Sequence, residues 1–197
     1  MGRLSRALSG RFAGVDAVDA SEGMVARARA ALADRPNVTF RHDASQDLGP
    51  LPAAAYDLVY SSMVLQHIPP PFAERAIAAL VRHVRPGGAA VFQVALDGPA
   101  ARCVPFRLRE TALKAVKKVR TGEWVNTVYG LDHRDVRRAV TDGGGRVVEV
   151  REYLDPSTVW GPTRPRATRE VLGAPLTLRP WWPVVYWAVP TASPAPA

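Results

Sequence analysis

Three features of the sequence predict an α/β fold with a largely parallel sheet. Apolar runs of strand length alternate with segments whose apolar residues recur at helical spacing, and stretches containing Gly or Pro separate the two kinds. With 197 residues, 47% of them apolar, the chain is long enough for one domain with a substantial core.

Six strands are predicted from the apolar runs. Branched and aromatic residues are frequent in them, and turn residues bound them. The predicted strands are residues 12–19, 38–42, 56–60, 89–96, 146–153 and 183–189. Because most of them are separated by a predicted helix, they are expected to pair in parallel.

Helices are predicted from capping residues and from apolar spacing. Ser21 and Asp132 each precede a helical segment and are expected to act as N-caps. A stripe over residues 73–84 has nearly ideal helical spacing, and Arg85-Pro86-Gly87-Gly88 is expected to end that helix before the next strand. Three apolar residues predict a core-facing helix near the N-terminus: Leu4, Leu8 and Phe12.

The basic residues are concentrated in the second half of the chain. Residues 99–197 hold 16 basic and 9 acidic side chains and residues 1–98 hold 10 and 9, so +7 and +1 make the net charge of +8. An amphipathic helix predicted over residues 107–120 carries most of this cluster, which is either a solvated face or a site for an anionic ligand. Trp124 and Tyr129 are not interleaved with the basic residues, so an anionic small molecule is favoured over nucleic acid.

Several classes of protein are excluded by composition. The single Cys103 cannot form an intrachain disulfide, which favours a reducing, cytoplasmic location. No metal site is predicted, because closely spaced Cys and His ligands are lacking. The densest apolar run, residues 184–189, is far shorter than a membrane span, so no membrane partner is expected, and the sequence leaves the oligomeric state open.

Acidic and polar residues follow three of the predicted strands. Asp19 and Asp43 end or follow the first two strands, and Ser61 and Ser62 follow the third. Ligands of open parallel sheets bind beyond the carboxyl ends of the strands. A carboxylate there can accept hydrogen bonds from both hydroxyls of a ribose, and a second can accept from an exocyclic amine. The pattern therefore predicts a nucleoside-shaped site.

These segments resemble the class I S-adenosylmethionine-dependent methyltransferases. The run from Val15 to Arg29 is similar to the second-strand motif of that family, and Asp43-Ala44, Tyr56 to His67 and Leu80 to Gly88 follow in the family's order. The resemblance covers residues 3–96 well and extends to about residue 190. It implies a Rossmann-like, mostly parallel sheet with a terminal antiparallel strand.

The resemblance also implies a cofactor and a site. S-adenosylmethionine would be the cofactor, and a substrate nucleophile would attack its sulfonium methyl group in line. The implied cofactor-binding residues are Gly2, Asp19, Ala20, Met24, Asp43, Ala44, Ser61 and Gln66. His67, which follows the third predicted strand, is the first candidate for a general base, although a histidine packed against Pro69 to Pro71 is an equal alternative.

One part of the family pattern is not found. Family members open with a strand and a glycine-rich turn, whereas Met1 to Leu8 matches what normally follows that turn. We therefore expect that a central first strand is missing from the sequence and that its loss impairs stability and cofactor binding.

The expected layout is a single methyltransferase domain over residues 1–190. Residues 1–96 would bind the cofactor, 97–130 would cover the substrate, 131–190 would supply the last strands, and 191–197 would be a disordered tail. Two alternatives remain at this stage. One is a cofactor-free or catalytically impaired scaffold of the same fold, and the other is a nicotinamide-dependent oxidoreductase, which the lack of a G-x-G-x-x-G motif disfavours.

Overall fold

A computed structural model describes residues 2–45, 47–49, 51–97, 128–152 and 181–191. The chain divides into two compact units, Met1–Pro52 and Ala53–Ala197, called here the first and the second unit. The basic helix predicted at 107–120 and all but the first residue of the predicted tail lie outside the described residues. The prediction of one domain over residues 1–190 stays a prediction.

The first unit contains two helices and a pair of parallel strands. Its elements are α1 (Arg3–Ser9), β1 (Val15–Asp19), α2 (Glu22–Ala31) and β2 (Val38–His42). β1 and β2 pair in register from Val15 opposite Val38 to Asp19 opposite His42. The apolar core consists of Val25, Ala28 and Leu32. The N-cap predicted at Ser21 is confirmed, because its side chain accepts a hydrogen bond from the Met24 amide.

The start of the first unit differs from the expected core-facing stripe. Leu4 is 46% exposed, and Ser9 is the buried residue of α1. The side-chain Nδ2 of Asn37 donates to the carbonyl oxygens of Ser9 (2.9 Å) and Phe12 (3.1 Å). These bonds hold the end of α1 against the turn before β2. Since the Phe12 amide bonds back to Leu8, the predicted strand at 12–19 begins only at Val15.

The second unit is built on a five-stranded sheet. Its elements are β3 (Tyr56–Ser61), a 3₁₀ turn (Leu65–His67), α3 (Pro70–Arg82), β4 (Val84–Asp97), β5 (Gly130–Leu131), α4 (His133–Asp142), β6 (Gly145–Glu152) and β7 (Trp181–Pro190). The strand order is β3-β4-β7-β6, with β5 beside β4. β4 is parallel to β3 and β5, whereas β7 is antiparallel to β4 and β6. The expected terminal antiparallel strand is thus confirmed.

β4 begins five residues before the predicted strand, at Val84. Pro86 and the two glycines after it predict the end of an element, but β4 runs through them and stays paired with β3. The pairing has a register shift between Tyr56 and Leu58. A Cβ on Gly88 would lie 2.7 Å from the Asp57 carbonyl oxygen, so only glycine permits this approach.

The core of the second unit lies between its sheet and helices α3 and α4, which pack on each other. Its largest fully buried side chains are Tyr186, Phe92, Ile77, Val81, Val94, Val136 and Val140. Asp132 caps α4 as predicted, because its carboxylate accepts from the Arg134 amide at 2.8 Å. In the described part of the chain, β1 pairs only with β2 and β3 only with β4. The missing first strand stays a prediction.

Candidate functional site

In the first unit, Asp19 and Asp43 meet at the carboxyl ends of β1 and β2. The Asp43 amide donates to the Asp19 carbonyl oxygen at 3.1 Å, continuing the parallel ladder by one step. Next to this bond, His42 Nε2 lies 3.1 Å from the Ala20 carbonyl oxygen. Three of the predicted cofactor-binding residues, Asp19, Ala20 and Asp43, are therefore together at this edge, as the sequence predicts.

A tight turn after β1 fixes the orientation of Asp19. Its Oδ1 accepts from the Ser21 amide at 2.8 Å, and the Ser21 hydroxyl in turn accepts from the Met24 amide at 3.3 Å. Asp19 is exposed, and the Met24 side chain, in the first turn of α2, is 39% exposed. The turn thus joins the end of β1 to the N-terminus of α2 and leaves both side chains accessible to a ligand.

Asp43 carries a buried acceptor. Its Oδ1 accepts from the Ser45 amide at 2.7 Å, whereas Oδ2 is buried and has no hydrogen-bond partner within the described residues. A buried acceptor without a partner is costly, by about 1–3 kcal/mol, and so calls for a donor. Ala44 is exposed beside it. An amine donor supplied by a ligand would satisfy Oδ2.

Gly2 lies elsewhere in the first unit, at the N-cap of α1. Its φ is +64°, and a Cβ on it would lie 2.5 Å from Leu32 Cδ1. The left-handed backbone favours glycine here, and Leu32 Cδ1, at the end of a flexible side chain, packs against it. The described structure shows a packing role for Gly2, and its predicted contact with a cofactor stays a prediction.

In the second unit, the predicted residues lie at the end of β3 and in the 3₁₀ turn that follows it. Ser61 is half-buried and opposite Phe92 of β4. Gln66 lies in the 3₁₀ turn with only 5% exposure, and its carbonyl oxygen accepts from the Tyr129 amide at 2.8 Å. His67 is exposed, with Nε2 3.4 Å from Gln66 Nε2. The turn thus buries the glutamine and presents the histidine to solvent.

Two residues that the sequence analysis missed join this cluster. Met63 has φ +62°, and its Sδ accepts from Gln93 Nε2 (3.4 Å) and Gln66 Nε2 (3.8 Å). The Ser62 hydroxyl donates to Gln93 Oε1 at 3.0 Å. Gln93 could have been found as the one polar residue in the apolar run 89–96. The left-handed backbone of Met63 has no such signal, because it is strained for any side chain.

Two negative findings apply to the described residues. They contain no group of three or more His, Cys, Asp or Glu placed to hold a metal ion. Among the same residues, no helix is both long and apolar enough to cross a membrane.

The comparison with known proteins agrees with the nucleoside-shaped site predicted at the strand ends. The model of a methyltransferase domain family matches residues 1–88. The resemblance to S-adenosylmethionine-dependent methyltransferases is confirmed. No curated protein matches the chain in sequence.

Solved structures of methyltransferases are similar to this chain in fold. An S-adenosylmethionine-dependent methyltransferase from Methanosarcina mazei has 15% identity and a TM-score of 0.62, covering 96% of this chain and 89% of its own. Magnesium protoporphyrin IX methyltransferase from Synechocystis PCC 6803, with bound S-adenosylhomocysteine, has 22% identity and a TM-score of 0.57, covering 96% and 69%. The same enzyme with bound S-adenosylmethionine has 20% identity and a TM-score of 0.54, covering 96% and 65%. These matches show that the described structure has the fold of these methyltransferases.

Proposed function

We propose that this chain transfers a methyl group from S-adenosylmethionine to a small molecule. The observation that carries the proposal is the pair of carboxylates at the ends of β1 and β2, one of which has a buried oxygen with no donor among the described residues. This pair lies within the region that matches the methyltransferase domain. When bound, S-adenosylmethionine supplies a methyl group activated by its sulfonium.

The residues of the first unit fit the adenosine part of that cofactor. The exposed Asp19 carboxylate can accept from ribose hydroxyls, and Asp43 Oδ2 can accept from the adenine amine. Ala20, Met24 and Ala44 would line the same site, because they adjoin those carboxylates along the chain. Gly2, Ser61 and Gln66 are proposed as further contacts on the family resemblance.

His67 is proposed as the general base. Its exposed ring lies in the 3₁₀ turn after β3, beside the amide of Gln66, which is within 3.4 Å of Nε2. A base in reach of the acceptor contributes about 10²–10⁴-fold to the rate where the acceptor must lose a proton. We expect His67→Gln to lower kcat/KM by about 10²–10⁴-fold where the acceptor must lose a proton.

The acceptor is proposed to be a small molecule. The support is the Synechocystis neighbour, whose name identifies a small-molecule acceptor, together with the basic excess of +7 over residues 99–197. A carboxylate- or phosphate-bearing acceptor suits that charge. Residues 97–130 are proposed to cover the acceptor, by analogy of position with the family.

Calorimetric titration with S-adenosylhomocysteine tests the proposal. The native chain should bind S-adenosylhomocysteine. Asp43→Asn should weaken binding by about 10- to 100-fold, because it replaces the carboxylate oxygen that accepts from the adenine amine with an NH₂ group, which is itself a donor. Asp57→Asn is the matched control, since Asp57 is exposed at the start of β3 and pairs with Arg85. NAD should not bind.

Two results would contradict the proposal. One is NAD binding in place of S-adenosylhomocysteine, which would favour an oxidoreductase. The other is binding of neither ligand by a chain whose circular dichroism shows it folded, which would favour a scaffold.

A further inference from the structure

In the second unit, two strong hydrogen-bond donors point at the Met63 thioether, which is only a weak acceptor. Primary amides of Gln93 and Gln66 both point an N–H at Sδ, at 3.4 and 3.8 Å. Thioether sulfur is a weak acceptor, so these donors gain less than they would from an oxygen. Met63 is 39% exposed, so a ligand can reach the sulfur and the donors around it.

Gln93 is held in one orientation by its neighbour. The Ser62 hydroxyl donates to Gln93 Oε1 at 3.0 Å, which turns Nε2 towards Met63. Phe92, the residue before Gln93, is opposite Ser61 in the parallel pairing of β3 and β4, so Gln93 lies next to the residues that follow β3. The donor is therefore fixed by its place in β4 and by the residue that follows β3.

The backbone of Met63 is also strained. Its φ of +62° is left-handed, a conformation that costs a residue with a side chain about 1 kcal/mol or more. Strain of this kind persists where the surroundings determine it and is frequent at ligand sites. Tyr60 and Val64, three residues before and one residue after Met63 along the chain, are 42% and 51% exposed and offer apolar surface.

We propose that Gln93 determines acceptor specificity by donating a hydrogen bond to an oxygen of the methyl acceptor, which replaces Met63 Sδ. The favoured acceptor bears a carbonyl or carboxylate oxygen next to an apolar body. Ser62 is a positioning residue, because it acts by orienting Gln93. This inference rests on the proposed methyl transfer for its biological meaning, but the binding site itself can be tested without the cofactor.

The test is a methyl NMR titration of the full chain with three probes that share one ring. Methionine is labelled with ¹³C at the ε-methyl, and Met63→Leu assigns the Met63 signal among the three methionines. Benzamide and benzoate offer an oxygen acceptor, whereas benzylamine offers only donors. The Met63 signal should shift and saturate with the first two probes, and benzylamine should bind at least threefold more weakly.

Two variants report on Gln93 itself. Gln93→Leu should weaken benzamide binding by about three- to tenfold and abolish the preference over benzylamine, because the apolar side chain lacks the donor. Gln93→Glu should reverse the preference, because a carboxylate accepts from the ammonium of benzylamine. The Met24 signal, from a methionine of equal exposure in the first unit, serves as the reference for folding and for non-specific ring contacts.

Three outcomes would overturn the inference. They are equal shifts with all three probes, no saturable shift with benzamide, and an oxygen preference that persists in both Gln93 variants. Because S-adenosylhomocysteine is left out, the proposed function can fail in calorimetry while this inference holds, and the reverse.

Discussion

His133 is locked as a neutral side chain at the start of α4. Arg137 Nε donates to His133 Nε2 at 2.7 Å, so Nε2 carries the lone pair and Nδ1 carries the proton. Nδ1 is then the donor to the hydroxyl of Tyr186, 2.5 Å away, and that tyrosine is fully buried and stacks on Phe92. Burial, and then the charge of Arg137, lower the pKa of His133 below its ordinary value of 6.5.

This arrangement predicts that stability increases with pH near neutrality. Because the pKa of His133 is lowered in the folded chain, the unfolded chain binds more protons at this residue as the pH falls below 6.5. The free energy of unfolding therefore decreases as the pH falls through 6.5. The slope is at most about 1.4 kcal/mol per pH unit. Urea unfolding from pH 5 to 7.5 measures it, and His133→Gln should flatten the curve there.

His42→Gln is the control, because it removes an exposed histidine and leaves His133 in place. The slopes of the two variants and of the native chain are compared between pH 5 and 7.5. If His133→Gln kept the native slope, another group would be responsible. Sequence reasoning could place His133 in the first turn of α4 from the Asp132 cap, but it could not find Tyr186, 53 residues away along the chain.

Among the elements, α3 is in close contact with Gly143, the residue that follows α4. A Cβ added to Gly143 would lie 2.6 Å from the Ala78 carbonyl oxygen and 2.9 Å from Val81 Cβ. Gly143→Ala should therefore destabilise the second unit by about 1–3 kcal/mol, because backbone and β-branched neighbours cannot move aside cheaply. Chemical denaturation measures the change.

Alanine substitutions at two other glycines distinguish the effect of steric overlap at an added Cβ from that of backbone strain. Gly14 has nothing within 4 Å of an added Cβ and no positive φ, so Gly14→Ala should leave stability within about 0.5 kcal/mol of native. Gly144 also has open space but a φ of +81°, so Gly144→Ala should cost about 1 kcal/mol. A Gly143→Ala variant as stable as Gly14→Ala would show that the two helices can separate.

The elements divide into those with local signals and those without. α2 and α4 could be predicted from their N-caps and α3 from its apolar stripe, because these signals are local. The early start of β4 could not, since Pro86 and Gly87 mark a break unless β3 lies alongside. In the site, Asp19 and Asp43 were predictable from strand ends, whereas the Met63 and Gln93 contact joins residues 30 apart and depends on strand pairing.

At the scale of the whole molecule, the net charge alone predicts some binding to nucleic acid, so such binding does not by itself identify a methyl acceptor. At +8, the chain should bind nucleic acid non-specifically at low salt through phosphate contacts. We expect binding to a 20-base-pair duplex to be lost between 50 and 200 mM salt, with no transfer of labelled methyl to the DNA. Fluorescence anisotropy at several salt concentrations measures this. Tight binding at 200 mM salt would make nucleic acid a candidate acceptor.

Cofactor binding should also be visible in the stability of the entire chain. A ligand that binds only the folded state adds RT ln(1 + [L]/Kd), or about 2.7 kcal/mol at a hundred times Kd. For a chain of 197 residues this corresponds to a rise in Tm of about 5–10 °C. Differential scanning calorimetry with increasing S-adenosylhomocysteine should show a rise that is logarithmic in ligand concentration.

The same titration separates specific binding from a general effect of added solute. NAD at equal concentration should leave Tm unchanged, and Asp43→Asn should need about 10- to 100-fold more S-adenosylhomocysteine for the same rise, because the Asp43 carboxylate is exchanged for an amide beside the adenine amine. Asp57→Asn should follow the native curve. If Asp43→Asn followed it too, the buried Oδ2 of Asp43 would not be the adenine acceptor, and the cofactor would have to be held by other residues.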